Sequence, residues 1–215
     1  MTELQPLTPE RRRMLTRETL LNAAEIVFAE KGFYRATLDD IATRAGFTKG
    51  AVYSNFRNKE DLLLELLNRR IDQQIGVVNT LLGSDTPDAS GQFPSINELV
   101  EQGAFFNDET WGILSLEFRL YALRHPDVRH KLADLIQRER ELVQRLFDHE
   151  YPAVDKAPRY PTHDIAVIAL ALFDGLGSNR LLEPSSVTRD VLQTAQQLLG
   201  DAIGLTRSSA GDHRP

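Results

Sequence analysis

The sequence predicts an all-α protein in two parts, an N-terminal head of three helices joined by a long helix to a larger helical domain. Three observations carry that prediction. Nearly every periodic segment repeats its apolar residues at three- and four-residue spacing, and no two-residue alternation of the strand type occurs. Thr, Asp, Asn and Gly punctuate these segments as helix starts and stops. The charge is unevenly divided. Residues 1–60 carry 10 Lys or Arg against 8 Asp or Glu and the remainder 15 against 23, which points to two parts with different jobs.

The first helix begins at Thr8-Pro9, a cap followed by the residue best suited to the first helical position. It carries Leu20, Leu21, Ala24, Val27 and Phe28 on one face and stops at Gly32. Thr37-Leu38-Asp39-Asp40 is a capping box and opens a short helix with Leu38, Ile41 and Ala42 inward. Gly46 ends that helix, since only Gly takes the left-handed conformation without penalty. Thr48 caps the next one two residues later, so the turn is tight and the helix pair sharply bent. Asn58-Lys59-Glu60-Asp61 starts a pattern running from Lys59 to Leu82, about 36 Å at ~1.5 Å per residue. Gly83–Ser95 is the one clear linker. Helical patterns follow near 95–106, 108–124, 127–150, 162–182 and 187–204, separated by Asn107-Asp108, His125-Pro126, Tyr151–Pro161 and Glu183-Pro184. The division expected is 9–57 for the head, 58–82 for the connecting helix, 83–206 for the C-terminal domain and 207–215 for a polar tail.

Composition narrows the function. The 215 residues are 41% hydrophobic and 26% charged, ordinary globular values. The absence of Cys excludes disulfide scaffolds, Cys-based zinc sites and thiol nucleophiles. No unbroken run of about 18 apolar residues is present, and no apolar stretch accompanies the N-terminal arginines, so neither a membrane span nor a secretory leader is expected. A cytoplasmic protein is the expectation. No P-loop, dinucleotide glycine motif, HExxH or Ser-His-Asp order occurs, so no catalytic residue and no cofactor is assigned. Asp127, His130 and Asp134 share a helix face at a spacing able to hold a metal, but exposed charged helices produce such triplets by composition, and no metal is assigned.

The formal charge of −6 argues, taken whole, against a nucleic-acid partner. Locally the picture reverses. From Ile41 to Lys59 the basic residues Arg44, Lys49, Arg57 and Lys59 stand with no acid among them, and phosphate contact is a local matter. The segment TLDDIATRAGFTKGAVYSNFRNKEDLL (Thr37–Leu63) is built as a short bracing helix, a Gly turn and a second helix small enough for a major groove. Lys49, Gly50, Tyr53 and Ser54 lie on its outer side. Thr48, Tyr53 and Lys59 suit phosphate oxygens, while Gly50 and Ala51 let the backbone approach. A purely structural helical hairpin is the alternative on spacing alone.

These residues resemble the N-terminal domain of the TetR family of transcriptional regulators. The family pattern reads here as Thr37, Ile41-Ala42, Ala45-Gly46, Thr48, Gly50, Tyr53, Phe56 and Lys59-Glu60-Asp61-Leu62, and ETLLNAAEIVFAEKGFYRATL is similar to the family's first helix and its following loop. The resemblance implies a helix-turn-helix head whose DNA-contact candidates are Thr37, Arg44, Thr48, Lys49, Gly50, Ala51, Tyr53, Ser54, Asn55 and Lys59. It implies a double-stranded operator as partner, a C-terminal domain that binds a small-molecule effector, and a homodimer. It makes the chain a ligand-responsive regulator, with a repressor favoured over an activator of the same fold or a sensor without DNA function.

Two further sets of candidates lie beyond the head. Ala169–Leu199 is similar to the family's last two helices, which bundle across a dimer. The apolar stripe Ile165, Ile168, Ala169, Leu172 and Leu176, with Gly175 and Leu192, is the expected interface, packing within one subunit being the alternative. Aromatic density at Phe105, Phe106, Trp111, Phe118 and Tyr121, with Glu117 nearby, marks candidates for lining an effector cavity, against ordinary core packing. Arg11-Arg12-Arg13 is either an arm reaching DNA or a solvated basic run.

Overall fold

The computed structural model describes residues 8–82, 109–153 and 157–205. Among these residues the chain forms eight helices and no strand. They are α1 (Pro9–Arg35), α2 (Leu38–Ala45), α3 (Lys49–Asn55), α4 (Lys59–Leu82), α5 (Glu109–Arg124), α6 (Pro126–Ala153), α7 (Thr162–Leu182) and α8 (Arg189–Ile203). Their starts follow the cap chemistry. The Thr8 side chain accepts from Arg11 N–H, with Pro9 in the first turn, and Thr188 accepts from Val191 N–H at the start of α8. The linker, the 95–106 pattern, Phe105, Phe106 and the tail beyond Leu205 lie outside the described residues.

α1 is two segments joined at Gly32, whose φ of 73° and ψ of 167° are not helical; that corner of backbone space is essentially reserved for glycine. Arg11-Arg12-Arg13 are helical, inside α1. They follow the Thr8–Pro9 start that the sequence predicts and are exposed to solvent.

The chain gathers into two compact units. Of the described residues, one unit takes 8–70 together with Ile113–Ala133; the other takes 71–82, 109–112, 134–153 and 157–205. In the first, Leu20, Leu21, Ala24, Val27 and Phe28 of α1 are buried, as are Ile41, Ala42, Val52, Leu62, Leu63 and Leu66. Sequence-distant α5 contributes Phe118 edge-on to Phe33, ring centroids 5.2 Å apart. In the second, Val143, Phe147 and Tyr151 of α6 pack with Ile165, Ala166 and Ala169 of α7 and Ile203 of α8. The Tyr151 hydroxyl, its pKa raised by burial, donates to the Ile203 carbonyl at 3.0 Å.

By length and composition alone α7 could cross a membrane, although no span was expected from the absence of an unbroken apolar run. The helix is not an unbroken apolar run: Asp164, Asp174 and Arg180 interrupt it. Its buried residues Ile165, Ala166 and Ala169 belong to the core of the second unit.

Candidate nucleic-acid interface

Both helix starts in the α2–turn–α3 segment are closed by a local side chain. Thr37 Oγ1 accepts from Asp40 N–H at 3.1 Å. Asp40 Oδ2 in return accepts from Thr37 N–H at 3.1 Å and from its hydroxyl at 2.8 Å, a reciprocal capping box. Lys31, 2.7 Å from the same carboxylate, together with the Thr37 hydroxyl, holds the Asp40 pKa below the ordinary carboxylate value. Gly46 terminates α2 at φ 71°, ψ 24°. A Cβ there would meet nothing within 4 Å, so the turn demands glycine for its backbone angle and not for space. Thr48 Oγ1 accepts from Ala51 N–H at 3.3 Å, and the fully buried Val52 anchors α3 from beneath.

This leaves one side of α3 outward. Arg44, Thr48, Lys49, Gly50, Tyr53 and Ser54 are exposed and Ala51 is half-buried. At Gly50 an added Cβ would approach only Thr48 Oγ1, at 3.8 Å. Internal packing therefore does not require glycine there. Asn55 is turned inward: its amide donates to the Ala51 carbonyl at 2.8 Å and its Oδ1 is buried with no bonding partner among the described residues. Arg17 fixes this end of the helix by donating to the Asn55 carbonyl at 2.9 Å while lying 4.4 Å from the Phe56 ring centroid.

The stretch that is acid-free in sequence is not acid-free in space. Arg44 pairs with Glu30, Lys49 Nζ lies 2.8 Å from Asp39 Oδ2, and Arg57 reaches Asp61 at 4.0 Å. Exposed pairs of this kind are worth at most about 1 kcal/mol, so a phosphate can displace them. Their presence nonetheless cuts the free positive charge below what a linear count suggests.

Lys59 is held differently. Its Nζ donates to the carbonyls of Tyr34 and Ala36 at 3.2 and 3.0 Å and stands 4.6 Å from the Phe33 ring centroid. Desolvation lowers its pKa. The first residue of α4 thus fastens the chain between α1 and α2, with two of its three N–H donors committed to main-chain oxygens.

Three of the proposed cavity-lining residues serve the same region. Glu117 Oε2 accepts from Phe33 N–H at 2.6 Å, and a Cβ on Gly32 would fall 2.8 Å from Glu117 Oε1. Gly32 therefore makes room for the carboxylate that caps its neighbour. Tyr121 donates to Glu60 Oε1 at 2.6 Å, a bond that pushes its pKa up to about 12, and its ring lies 4.9 Å from that of Phe33. Phe118 is 1% exposed. Glu117, Phe118 and Tyr121, expected to line an effector cavity, thus touch the end of α1 and the start of α4. Trp111, also buried, belongs to the second unit.

In the second unit the expected interface stripe divides. Ile165 and Ala169 are core residues and do not face a partner, whereas Ile168 is 58% and Leu172 36% exposed. Gly175 is exposed, while Leu176 and Leu192 are half-buried. α7 is apolar over more than half its circumference, and the periodic stripe straddled an inner and an outer face. Val191 and Leu198 of α8 are also exposed. Among the described residues no group of three His, Asp or Glu comes together as a metal site.

Comparison with known proteins places this geometry. The sequence pattern of the family described as "Bacterial regulatory proteins, tetR family" matches residues 20–66. The chain is 39% identical over 70 residues to the HTH-type transcriptional activator FasR of Mycolicibacterium smegmatis, covering 33% of this chain and 32% of that protein. It is 26% identical over 211 residues to the HTH-type transcriptional regulator TtgR of Pseudomonas putida, covering 90% and 92%. The chain spans less than two thirds of the length of the first three curated relatives it matches. Among solved structures, the transcriptional regulator FadR from Bacillus subtilis in complex with stearoyl-CoA superposes with a TM-score of 0.65 at 17% identity, covering 88% of this chain and 99% of that one. At that identity the likeness shows the fold.

Proposed function

We propose that the chain is a regulator of the TetR family, whose sequence pattern matches residues 20–66, and that it acts as a cytoplasmic, ligand-responsive transcriptional repressor. In this reading residues 9–57 bind operator DNA, 58–82 connect, and 83–206 take an effector and pair with a second copy. The observation that carries the reading is the outward face of α3, where Lys49, Gly50, Tyr53 and Ser54 are exposed on a helix braced by two Thr caps and a Gly turn. Lys49, Thr48 and Tyr53 contact phosphates, and Gly50 and Ala51 bring the backbone close to base edges. Two such helices, one per subunit, read half-sites about 34–36 Å apart, which makes the operator palindromic. Pairing is supported by the outer apolar residues Ile168 and Leu172 of α7 and Leu198 of α8.

Regulation requires an effector that binds the non-operator conformation more tightly than the operator-bound one. α4, which begins at Lys59 and ends at Leu82, is the lever in this reading. An effector that carries a long acyl chain is favoured in this reading, since FadR of the same fold was solved with stearoyl-CoA.

Selection of bound sequences from a random-duplex pool tests the reading. Support comes from a recovered palindrome and from a shallower salt dependence of affinity in Lys49→Ala, by about 0.9 for each phosphate the variant no longer neutralises. No enriched sequence at low salt overturns it. Lys49 serves this test better than Lys59, whose ammonium also holds the α1–α2 connection together.

A further inference from the structure

Asp39 and Asp40 are adjacent on the first turn of α2, and the structure gives them different work. The Asp40 carboxylate closes the capping box on Thr37 and pairs with Lys31. The Asp39 carboxylate has one partner among the described residues, Lys49 Nζ at 2.8 Å. Both ends of that pair are open to solvent, with side chains 59% and 58% exposed. Lys49 is the first residue of α3 and also lies 5.9 Å from the Tyr53 ring centroid. A negative charge without a role in capping or core packing thus sits on the face that carries the leading cation.

Its consequence follows from how duplex DNA is bound. Affinity for random sequence is almost wholly phosphate neutralisation and counterion release, whereas operator affinity adds base readout and a fixed register. A carboxylate beside Lys49 opposes the first term on every duplex. Where the remaining contacts hold α3 in register, Lys49 is drawn from the carboxylate to a phosphate; on random sequence nothing holds it there. Resting on the regulator reading above, we propose that Asp39 is a specificity-determining residue that acts through Lys49. It withholds the first cation of the recognition helix from non-operator DNA, and so widens the gap between operator and random-sequence affinity.

The test compares the full-length protein with Asp39→Asn, Asp39→Glu, Lys49→Ala and the double variant Asp39→Asn/Lys49→Ala. Each is titrated against a random duplex and against the selected palindrome over a range of salt. Asp39→Asn is expected to tighten random-duplex binding about threefold at low salt. Its log–log salt slope steepens by about 0.9, and its operator-to-random ratio falls. Asp39→Glu, which keeps the charge, is expected to restore the wild-type ratio. In the Lys49→Ala background the same Asn change has a smaller effect.

Random-duplex affinity unchanged by Asp39→Asn overturns the inference alone, as does a gain on the operator equal to that on random sequence. A gain of the same size with and without Lys49 overturns the claim that Asp39 acts through that lysine. Wild-type protein that leaves both duplexes unbound at low salt overturns the regulator reading, and the inference with it. Far-UV circular dichroism and a thermal midpoint matching wild type confirm that each variant is folded.

Discussion

The head and the α7–α8 pair solve opposite problems with the same kind of element. Around the end of α1 the polar groups close on one another. Lys59 bonds to the carbonyls of Tyr34 and Ala36, Glu117 accepts from Phe33 N–H, and Tyr121 donates to Glu60. α7 begins without a side-chain cap bond and keeps Ile168 and Leu172 on its surface, with Leu198 of α8 also exposed. Directional bonds at fixed distances hold one arrangement of the head, as a surface that must present α3 at a defined angle requires. Exposed apolar residues are non-directional, and they suit a face completed by another molecule.

The comparison breaks most severely at Gly32. Gly32→Ala combines a backbone geometry that L-residues avoid with a Cβ 2.8 Å from the Glu117 carboxylate. Glu117 can swing away only by releasing Phe33 N–H. The expected loss is about 3 kcal/mol of unfolding free energy, read from urea denaturation. A wild-type midpoint would show that the loop relaxes freely and that the head is not held as described.

The second effect falls on the other region. Ile168→Asp with Leu172→Glu places two charges on the outer face of α7 and leaves its core residues Ile165 and Ala169 untouched. Self-association is expected to weaken at least about 100-fold, near 2.7 kcal/mol, with helicity unchanged. Light scattering over a concentration series measures it. A dimer as tight as wild type would move the interface elsewhere.

The smallest effect is confined to alkaline pH. Hydrogen bonding to Glu60 is the main reason the Tyr121 pKa is raised from 10.0 to about 12. The folded state therefore favours the neutral phenol. Its contribution to stability is complete below the unfolded value near 10 and is lost as pH rises towards 12. Tyr121→Phe is expected to cost about 1 kcal/mol at neutral pH and to flatten that alkaline limb. An unaltered limb in the variant would assign it to other groups.

What could be read in the sequence was what depends on neighbours in sequence. Thr8, Thr37 and Thr48 cap where their spacing predicts, and Gly46 turns where it must, because a cap satisfies N–H groups two or three residues away. Leu62, Leu63 and Leu66 are buried as their helical period demands. The bond between Glu117 and Phe33, 84 residues apart, left no mark on either segment. Periodicity established that α7 has an apolar face but not that the face is wide enough to serve both core and surface. The charge count failed for a nearer reason. Asp39 lies just outside the acid-free stretch, and a helix-turn-helix brings the first turns of its two helices together. Reading the capping box and the recognition helix as one surface was the signal that could have found the Asp39–Lys49 pair.

The partnership of Gly32, Phe33 and Glu117 also bears on how such proteins exchange parts. A chimera that carries residues 9–57 to a foreign body would bring the glycine and the unsatisfied Phe33 amide but leave their glutamate behind. It would also strand the Phe33 ring without Phe118 and Tyr121. Recombination between relatives is thus expected to conserve the head together with residues 113–133 as one heritable unit, although more than fifty residues of sequence separate them.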